Sequence, residues 1–460
     1  MHEKLTHLIQ TQKDFFNEGI TKNIDFRINI LRTLKKIIEN NEDRIIAAIQ
    51  KDLGRNEVET YLSEIAPVIS EIKYTLKHLK KWARPKKVPS PFILLPAKSY
   101  HYAESYGTVL IISPWNYPFQ LVFSPLIGAI AAGNCAVIKP SELSPYTSQV
   151  ITDLITTNFE PSYIAAVEGG VEETTELLAQ KFDYIFFTGG TNVGRIIMEA
   201  AAKHLTPLTL ELGGKSPCIV HEDADIKTSA RRITWGKYFN AGQTCTAPDY
   251  LLVHKKIKKE LLEQIKKTIE TFYGTNPQTS NDYGRIINER HFDRLSSLLD
   301  EGKCIIGGKT DREKKYISPT VIDSVSWNDK IMADEIFGPI FPVIEYEDLD
   351  EVIRTLKNHP KPLALYFFSK DNAQQKKIVR ELSAGGISIN DTMAHIQNIA
   401  LKFGGVGQSG MGAYHGRSSF DTFTHYKAVC KRYCIAEPKA KYPPYTMPIR
   451  YVKKIMKWIQ

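Results

Sequence analysis

Between Thr108 and Phe187 the chain alternates short apolar runs with helix-length segments, and this restricts the fold more than any other feature of its 460 residues. The runs Thr108 to Ile112, Ala136 to Ile138, Ile164 to Val167 and Tyr184 to Phe187 are strand-length. Phe119 to Ala132, Tyr146 to Asn158 and Glu172 to Gln180 separate them. Strands that alternate with helices imply right-handed βαβ crossovers and a largely parallel sheet. A second alternation follows Leu210, with helical patterns at Ile226 to Phe239 and Lys256 to Tyr273 and apolar strands near Leu251 to Val253 and Leu363 to Phe368. The expected class is α/β with two doubly wound domains and a ligand cleft between them, since the chain is too long for a single core.

Helices precede the first strand. An amphipathic stretch runs from Phe26 to Ile49, and Val58, Leu62, Ile65, Ile69, Ile72, Leu76 and Leu79 form one stripe along a long helix that Pro67 is placed to kink. Four prolines between Arg84 and Pro96 mark an exposed connector.

Composition excludes several classes. With 42% hydrophobic and 24% charged residues the chain is neither disordered nor a membrane bundle. Its longest central apolar run, Pro125 to Ala132, falls far short of the roughly 20 residues of a spanning helix. The polar opening Met1 to Asn23 lacks a secretory pattern, so the cytoplasm is the expected compartment. Six scattered cysteines argue against a disulfide framework. The last two, Cys430 and Cys434, have no histidine at metal-finger spacing and read as thiols, so no metal is expected. The +9 net charge is dispersed apart from Lys80 to Lys87 and the C-terminus, and it predicts no nucleic-acid partner.

Five segments carry chemistry. Ser113-Pro114-Trp115-Asn116-Tyr117-Pro118 follows a strand; its Asn116 amide either donates to a developing oxyanion or stabilises a proline-rich turn. Lys139-Pro140-Ser141-Glu142 offers a cation and a carboxylate to a cofactor ribose, or caps a helix. Thr188-Gly189-Gly190-Thr191-Asn192-Val193-Gly194 is a glycine-rich turn into a helix, suited to a pyrophosphate although it departs from GxGxxG. Glu211 ends an apolar strand ahead of Leu212-Gly213-Gly214; partial burial there would raise its pKa and make it a base for water or a thiol. Cys245 sits in the small-residue loop Asn240 to Ala247, either as a nucleophile or as an inert buried thiol.

Together these segments resemble the NAD(P)-dependent aldehyde dehydrogenase superfamily. Asp334-Glu335-Ile336-Phe337-Gly338-Pro339 and Phe403 to Gly410 add further family motifs. Met411 to Gly416, Ser419 to Phe423, Asn288 to Leu295 and the tail from Tyr442 are similar to the class 3 and fatty-aldehyde branch; Lys402 and Gly190 depart from residues frequent in the family. The resemblance implies a discontinuous cofactor domain (1–81 and 101–211), a catalytic domain (212–400), a small β bridging element used for dimers (82–100 and 415–435) and a tail (436–460). It makes Cys245 the nucleophile, Glu211 the general base and Asn116 the oxyanion donor. It assigns Lys139 and Glu142 to the adenine ribose, Glu335 to the nicotinamide ribose, and Trp115, Thr188, Leu212 and Phe337 to the cofactor's surroundings. Gly189, Gly190, Thr191 and Gly194 would approach the pyrophosphate. The implied cofactor is NAD, with NADP possible, and the implied substrate a medium- or long-chain apolar aldehyde.

Two alternatives accompany this reading. In an acylating enzyme coenzyme A would take the acyl group, and Glu211 argues against that. A silent scaffold would need none of Cys245, Glu211 and Asn116. In the tail, Val452, Ile455, Met456 and Ile459 form an apolar stripe beside Lys453, Lys454 and Lys457. The stripe either packs over the substrate mouth or a dimer partner, or lies peripherally on an anionic membrane.

Overall fold

The structure is a computed structural model that describes residues 2–300, 302–434 and 441–459, so residues 436–440 and 460 of the expected tail lie outside it. A six-stranded sheet runs in the order Gly410–Met411, Leu208–Glu211, Tyr184–Thr188, Thr108–Ile112, Cys135–Lys139, Ile164–Ala166. All its pairings are parallel except that of Gly410–Met411 with Leu208–Glu211. The Thr108–Ile112 strand is buried along its whole length, as a β-branched run between two helical layers must be. The strand order reverses between Thr108–Ile112 and Tyr184–Thr188. The loops leaving their carboxyl ends, 113–118 and 189–190, therefore flank one crevice.

The second sheet has seven strands, in the order Lys303–Ile306, Thr320–Asp323, Ile340–Tyr346, Tyr250–His254, Pro217–Val220, Ala364–Phe368, Gly386–Ile389. Only the pairing of Lys303–Ile306 is antiparallel. A third, antiparallel sheet joins Lys86–Val88, Ala97–Ser105 and Thr424–Arg432. The proline-rich connector is thus partly strand, because it leads into a nine-residue ladder between Ala97–Ser105 and Thr424–Arg432.

The amphipathic stretch after Phe26 is two helices, Ile24–Glu39 and Glu42–Leu53, with Asn40 and Asn41 between them. The stripe from Val58 to Leu79 is not one α-helix either. A short helix Glu57–Thr60 passes into a π turn, Tyr61–Ile65, and then into the helix Ala66–Trp82. Pro67 has no N–H for the carbonyl four residues earlier and its ring crowds that carbonyl. The chain widens by one residue per turn instead, and the Ala66 N–H bonds the Tyr61 carbonyl.

Residues 441–457 are exposed, including the apolar Ile449, Val452, Ile455 and Met456 of the terminal helix Ile449–Ile459. Within the stripe, Val452, Ile455 and Met456 keep 37%, 44% and 36% of their surface exposed, so a single chain covers them only in part.

Candidate active site

A cavity of about 510 Å³ opens between the two large sheets, and Asn116, Glu211 and Cys245 all line it. The six-stranded sheet contributes the carboxyl ends of its strands: Trp115 and Asn116 beyond Ile112, Gly189 and Gly190 beyond Thr188, and Glu211 with Leu212 and Gly213. The other sheet contributes the amino ends. Cys245 precedes the Tyr250–His254 strand and Glu335 and Phe337 precede the adjacent, parallel Ile340–Tyr346 strand.

Asn116 is buried, and its Nδ2 donates to the Gln243 carbonyl at 3.0 Å. An amide nitrogen carries two hydrogens, so one stays available to the cavity. The Asn116 carbonyl accepts from Asn240 Nδ2 at 2.9 Å, and the same Nδ2 reaches the Gln243 carbonyl at 3.1 Å. Asn240 (φ 53°) and Ala241 (φ 51°) occupy the left-handed region, which costs about 1–2 kcal/mol for each L residue. The hydrogen bonds around them hold that conformation, and it turns the chain into the loop that presents Cys245.

Cys245 is half-buried. Burial, followed by the nearby carboxyls of Glu335 and Glu211, pushes its thiol well above the ordinary range. Glu211 is 2% exposed, neither carboxyl oxygen has a hydrogen-bond partner in the structure, and burial alone raises its pKa well above the carboxylate range. The sequence reading expected partial burial; the residue is buried almost completely. An unpartnered buried carboxyl facing a cavity costs free energy, which makes it a strong candidate for chemistry.

The carboxyl of Glu335 lies against Gly213, where an added Cβ would come 1.9 Å from Oε2. Burial raises the Glu335 pKa to about 8. Lys215, absent from the sequence expectation as a site residue, fastens the loop carrying Glu335: its Nζ donates to Asp249 Oδ2 at 2.6 Å and to the carbonyls of Ile331 and Asp334 at 2.9 Å. The second Asp249 oxygen accepts from the Ile336 N–H at 3.0 Å. Phe337 and His291 both pack on Trp115, with ring centroids 5.3 and 5.1 Å away.

Other candidate cofactor residues fall into two groups. Thr188, Gly189, Gly190, Leu212, Glu335 and Phe337 line the cavity; Gly190 has open space where a Cβ would point, and Thr188 Oγ1 is buried without a partner. Lys139 and Glu142 stand outside that lining and pair with each other at 2.9 Å beyond the Cys135–Lys139 strand. Thr191 begins the helix Thr191–Ala202, whose free amides suit an anion. Gly194 lies on the same helix where a Cβ would strike the Leu212 side chain 2.7 Å away, so its missing side chain lets helix and strand pack closely.

The cavity also contains His291 and Arg294, which the sequence reading held only within a family-like segment. They lie three apart on the helix Glu289–Ser296, a spacing that puts both on one face. Arg294 donates to the Ile336 carbonyl at 2.7 Å, and burial lowers the His291 pKa to about 4.

A model of the aldehyde dehydrogenase family matches residues 3–429. The chain is 51% identical over 447 residues to a Staphylococcus aureus 4,4'-diaponeurosporen-aldehyde dehydrogenase, covering 97% of each. It is 45% identical to a mouse dimeric NADP-preferring aldehyde dehydrogenase, covering 96% of this chain and 98% of the relative. A solved structure of Staphylococcus aureus AldH in a substrate-bound state superposes with a TM-score of 0.96 at 50% identity, covering 98% of this chain and 99% of that one. With its strand order, its interdomain cavity and these relatives, the chain belongs to the aldehyde dehydrogenase family and is an NAD(P)-dependent oxidoreductase that oxidises aldehydes.

Proposed function

We propose that the protein oxidises medium- or long-chain apolar aldehydes to carboxylates through a thioester on Cys245, with Glu211 as the general base that hydrolyses it. The observation that carries this reading is the convergence of Asn116, Glu211 and Cys245 on one cavity. The Cys245 thiolate attacks the aldehyde carbon and forms a C–S bond, and the oxyanion takes hydrogen bonds from Asn116 Nδ2 and the Cys245 N–H. Collapse of the oxyanion to the thioester expels a hydride; a bound oxidised nicotinamide would supply the acceptor for it and a positive charge that favours thiolate over thiol. Glu211 then takes a proton from the water that attacks the thioester, and the C–S bond breaks to release carboxylate and restore the thiolate.

The residues present fit a dinucleotide: the half-buried Glu335 carboxyl on Gly213, an open Gly190 and the amides that begin the Thr191–Ala202 helix. Glu335 would hold the nicotinamide ribose, Gly189, Gly190 and Thr191 the pyrophosphate, and Lys139 with Glu142 the adenine ribose. Trp115, Thr188, Leu212 and Phe337 would form walls, and Gly194 would seat the helix beneath.

Besides the walls assigned to the cofactor, apolar Leu121, Leu298 and Ile331 in the lining support an apolar substrate, as does the carotenoid-derived aldehyde in the name of the 51% identical relative. NADH or NADPH formation from aldehydes of increasing length tests this. We expect kcat/KM to rise by up to about fourfold per methylene until the cavity fills, without coenzyme A. A flat length profile or a need for coenzyme A would overturn the reading.

We also propose a homodimer that touches anionic membrane peripherally. The outer edge of the Thr424–Arg432 strand has no strand neighbour among the described residues, which supports pairing with a second copy. The terminal helix carries Arg450, Lys453, Lys454 and Lys457 and no acidic residue beside its exposed apolar stripe. Among the described residues no helix is long and apolar enough to cross a membrane. Sedimentation should give twice the 52.2 kDa chain mass, and anionic vesicles should float the full chain but not one ending before Ile449. A monomeric mass would remove the dimer, and equal flotation of both chains the membrane contact.

A further inference from the structure

Two carboxyls outside the chemistry above reach both reactive loops from behind. Glu59 and Glu64 are five residues apart. Five residues of α-helix turn through roughly 500°, which would leave the two side chains about 140° apart. The intervening π turn fits the same five residues into about one turn and brings both to one side. Glu59 Oε1 accepts from the Asn240 N–H at 2.9 Å, at the first left-handed residue of the nucleophile loop. Glu64 Oε2 accepts from the N–H groups of Phe119 and Gln120 at 3.0 and 2.8 Å, just beyond Asn116. The other Glu64 oxygen pairs with the fully buried Arg55, whose guanidinium lies 5.0 Å over the Tyr117 ring. Tyr117 Oη meets Thr244 Oγ1 at 2.5 Å, next to Cys245.

We propose that Glu59 is a positioning residue for aldehyde oxidation. By accepting the Asn240 N–H it holds the left-handed Asn240–Ala241 turn, and through the Asn240 side chain it sets where Asn116 and Cys245 face each other. The inference rests on the reading of Asn116 as oxyanion donor and Cys245 as nucleophile. Glu64 and Arg55 fix the opposite loop, so the distance between the two loops is defined from a single helical turn. That turn exists because Pro67 interrupts the α ladder. Glu59 touches neither cavity nor substrate, and its effect should fall on the step in which the oxyanion develops, not on cofactor binding.

The test is the pre-steady-state NADH burst under saturating cofactor. Glu59→Ala and the bulkier Glu59→Leu, neither of which offers an acceptor, should slow the burst by about 10–100-fold, the scale of a sub-ångström to 1 Å misplacement. Cofactor affinity should stay within about twofold of wild type, while thioester hydrolysis, which passes through an oxyanion held by the same donors, should slow as well. Glu59→Gln keeps an acceptor oxygen and should restore the burst, which a role in bulk stability or in charge would not produce. A burst at the wild-type rate in whichever acceptor-free variant folds would overturn the proposal, as would Glu59→Gln as slow as Glu59→Leu. Cys245→Ala measured in parallel separates this outcome from failure of the underlying reading, because a burst surviving there would remove the nucleophile itself.

Discussion

A Cys245→Ala variant is expected to lose aldehyde oxidation by on the order of 10⁵-fold, the scale of removing a covalent nucleophile, while binding cofactor as before. The site offers no substitute. Cys135 and Cys218 are buried within the sheets, and Cys304, Cys430 and Cys434 are exposed outside the cavity lining. Asn116 and the backbone amides would still polarise an aldehyde, but no atom could form the C–S bond from which hydride leaves. Alanine has no thiol to ionise at any pH, so the loss should be equally complete across the pH range in which the wild type is active. Removing a thiol that would otherwise acquire charge between two carboxyls introduces no new unpartnered group, so the fold should be unaffected. Absorbance at the reduced-cofactor band, with fluorescence titration of cofactor binding, measures both halves. Residual turnover within about tenfold of wild type would exclude the thioester route.

The strand and helix alternation from Thr108 to Thr188 is legible because each buried strand there is a short apolar run, β-branched in Thr108–Ile112 and largely aromatic in Tyr184–Thr188, and helix-length segments separate them. For the same reason Asn116, the glycine turn and Glu211 could be placed at carboxyl ends of parallel strands. Cys245 and Glu335 follow a different rule. They sit at the amino ends of the facing sheet, and no periodicity in one segment says which end of a distant sheet it will face. The π turn is half visible: Pro67 signals a break, but the backbone donors that Glu59 and Glu64 meet across it, at Asn240, Phe119 and Gln120, lie far along the chain. The Lys215–Asp249 clamp is hidden likewise, since its partners are 34 residues apart and its other acceptors, at Ile331 and Asp334, are more distant still. His291 and Arg294 carry a signal, a three-residue spacing on a short helix, but it is shared by many solvent-facing pairs. A Cβ at Gly194 would strike the Leu212 side chain, a close approach visible only once helix and strand are packed.

Glu211→Gln should separate the two halves of the reaction and reveal what the unpartnered carboxyl costs. Glutamine has nearly the shape of glutamate and no basicity. Thioester formation, and with it the NADH burst, should survive within about tenfold, while steady turnover falls by about 10²–10⁴-fold, the contribution of a positioned general base. Loss of the burst as well would mean that Glu211 acts earlier, on the thiol. Wild-type turnover should rise with pH as Glu211 ionises, and the variant's residual turnover should lack that limb. The same pKa shift acts on stability with the opposite sense. A carboxyl raised by burial keeps its proton in the folded chain at pH values where the unfolded chain has lost it. Between those two values the folded state binds more protons, so its stability falls as pH rises, and the contribution is fully present only below the unfolded carboxyl's pKa. Glu211→Gln abolishes that dependence, so its advantage in melting temperature over the wild type should widen from pH 5 upward. A melting difference that narrows with rising pH, or a turnover profile unchanged in shape, would mean that Glu211 is already ionised and partnered in the resting enzyme, and that the hydrolytic base lies elsewhere.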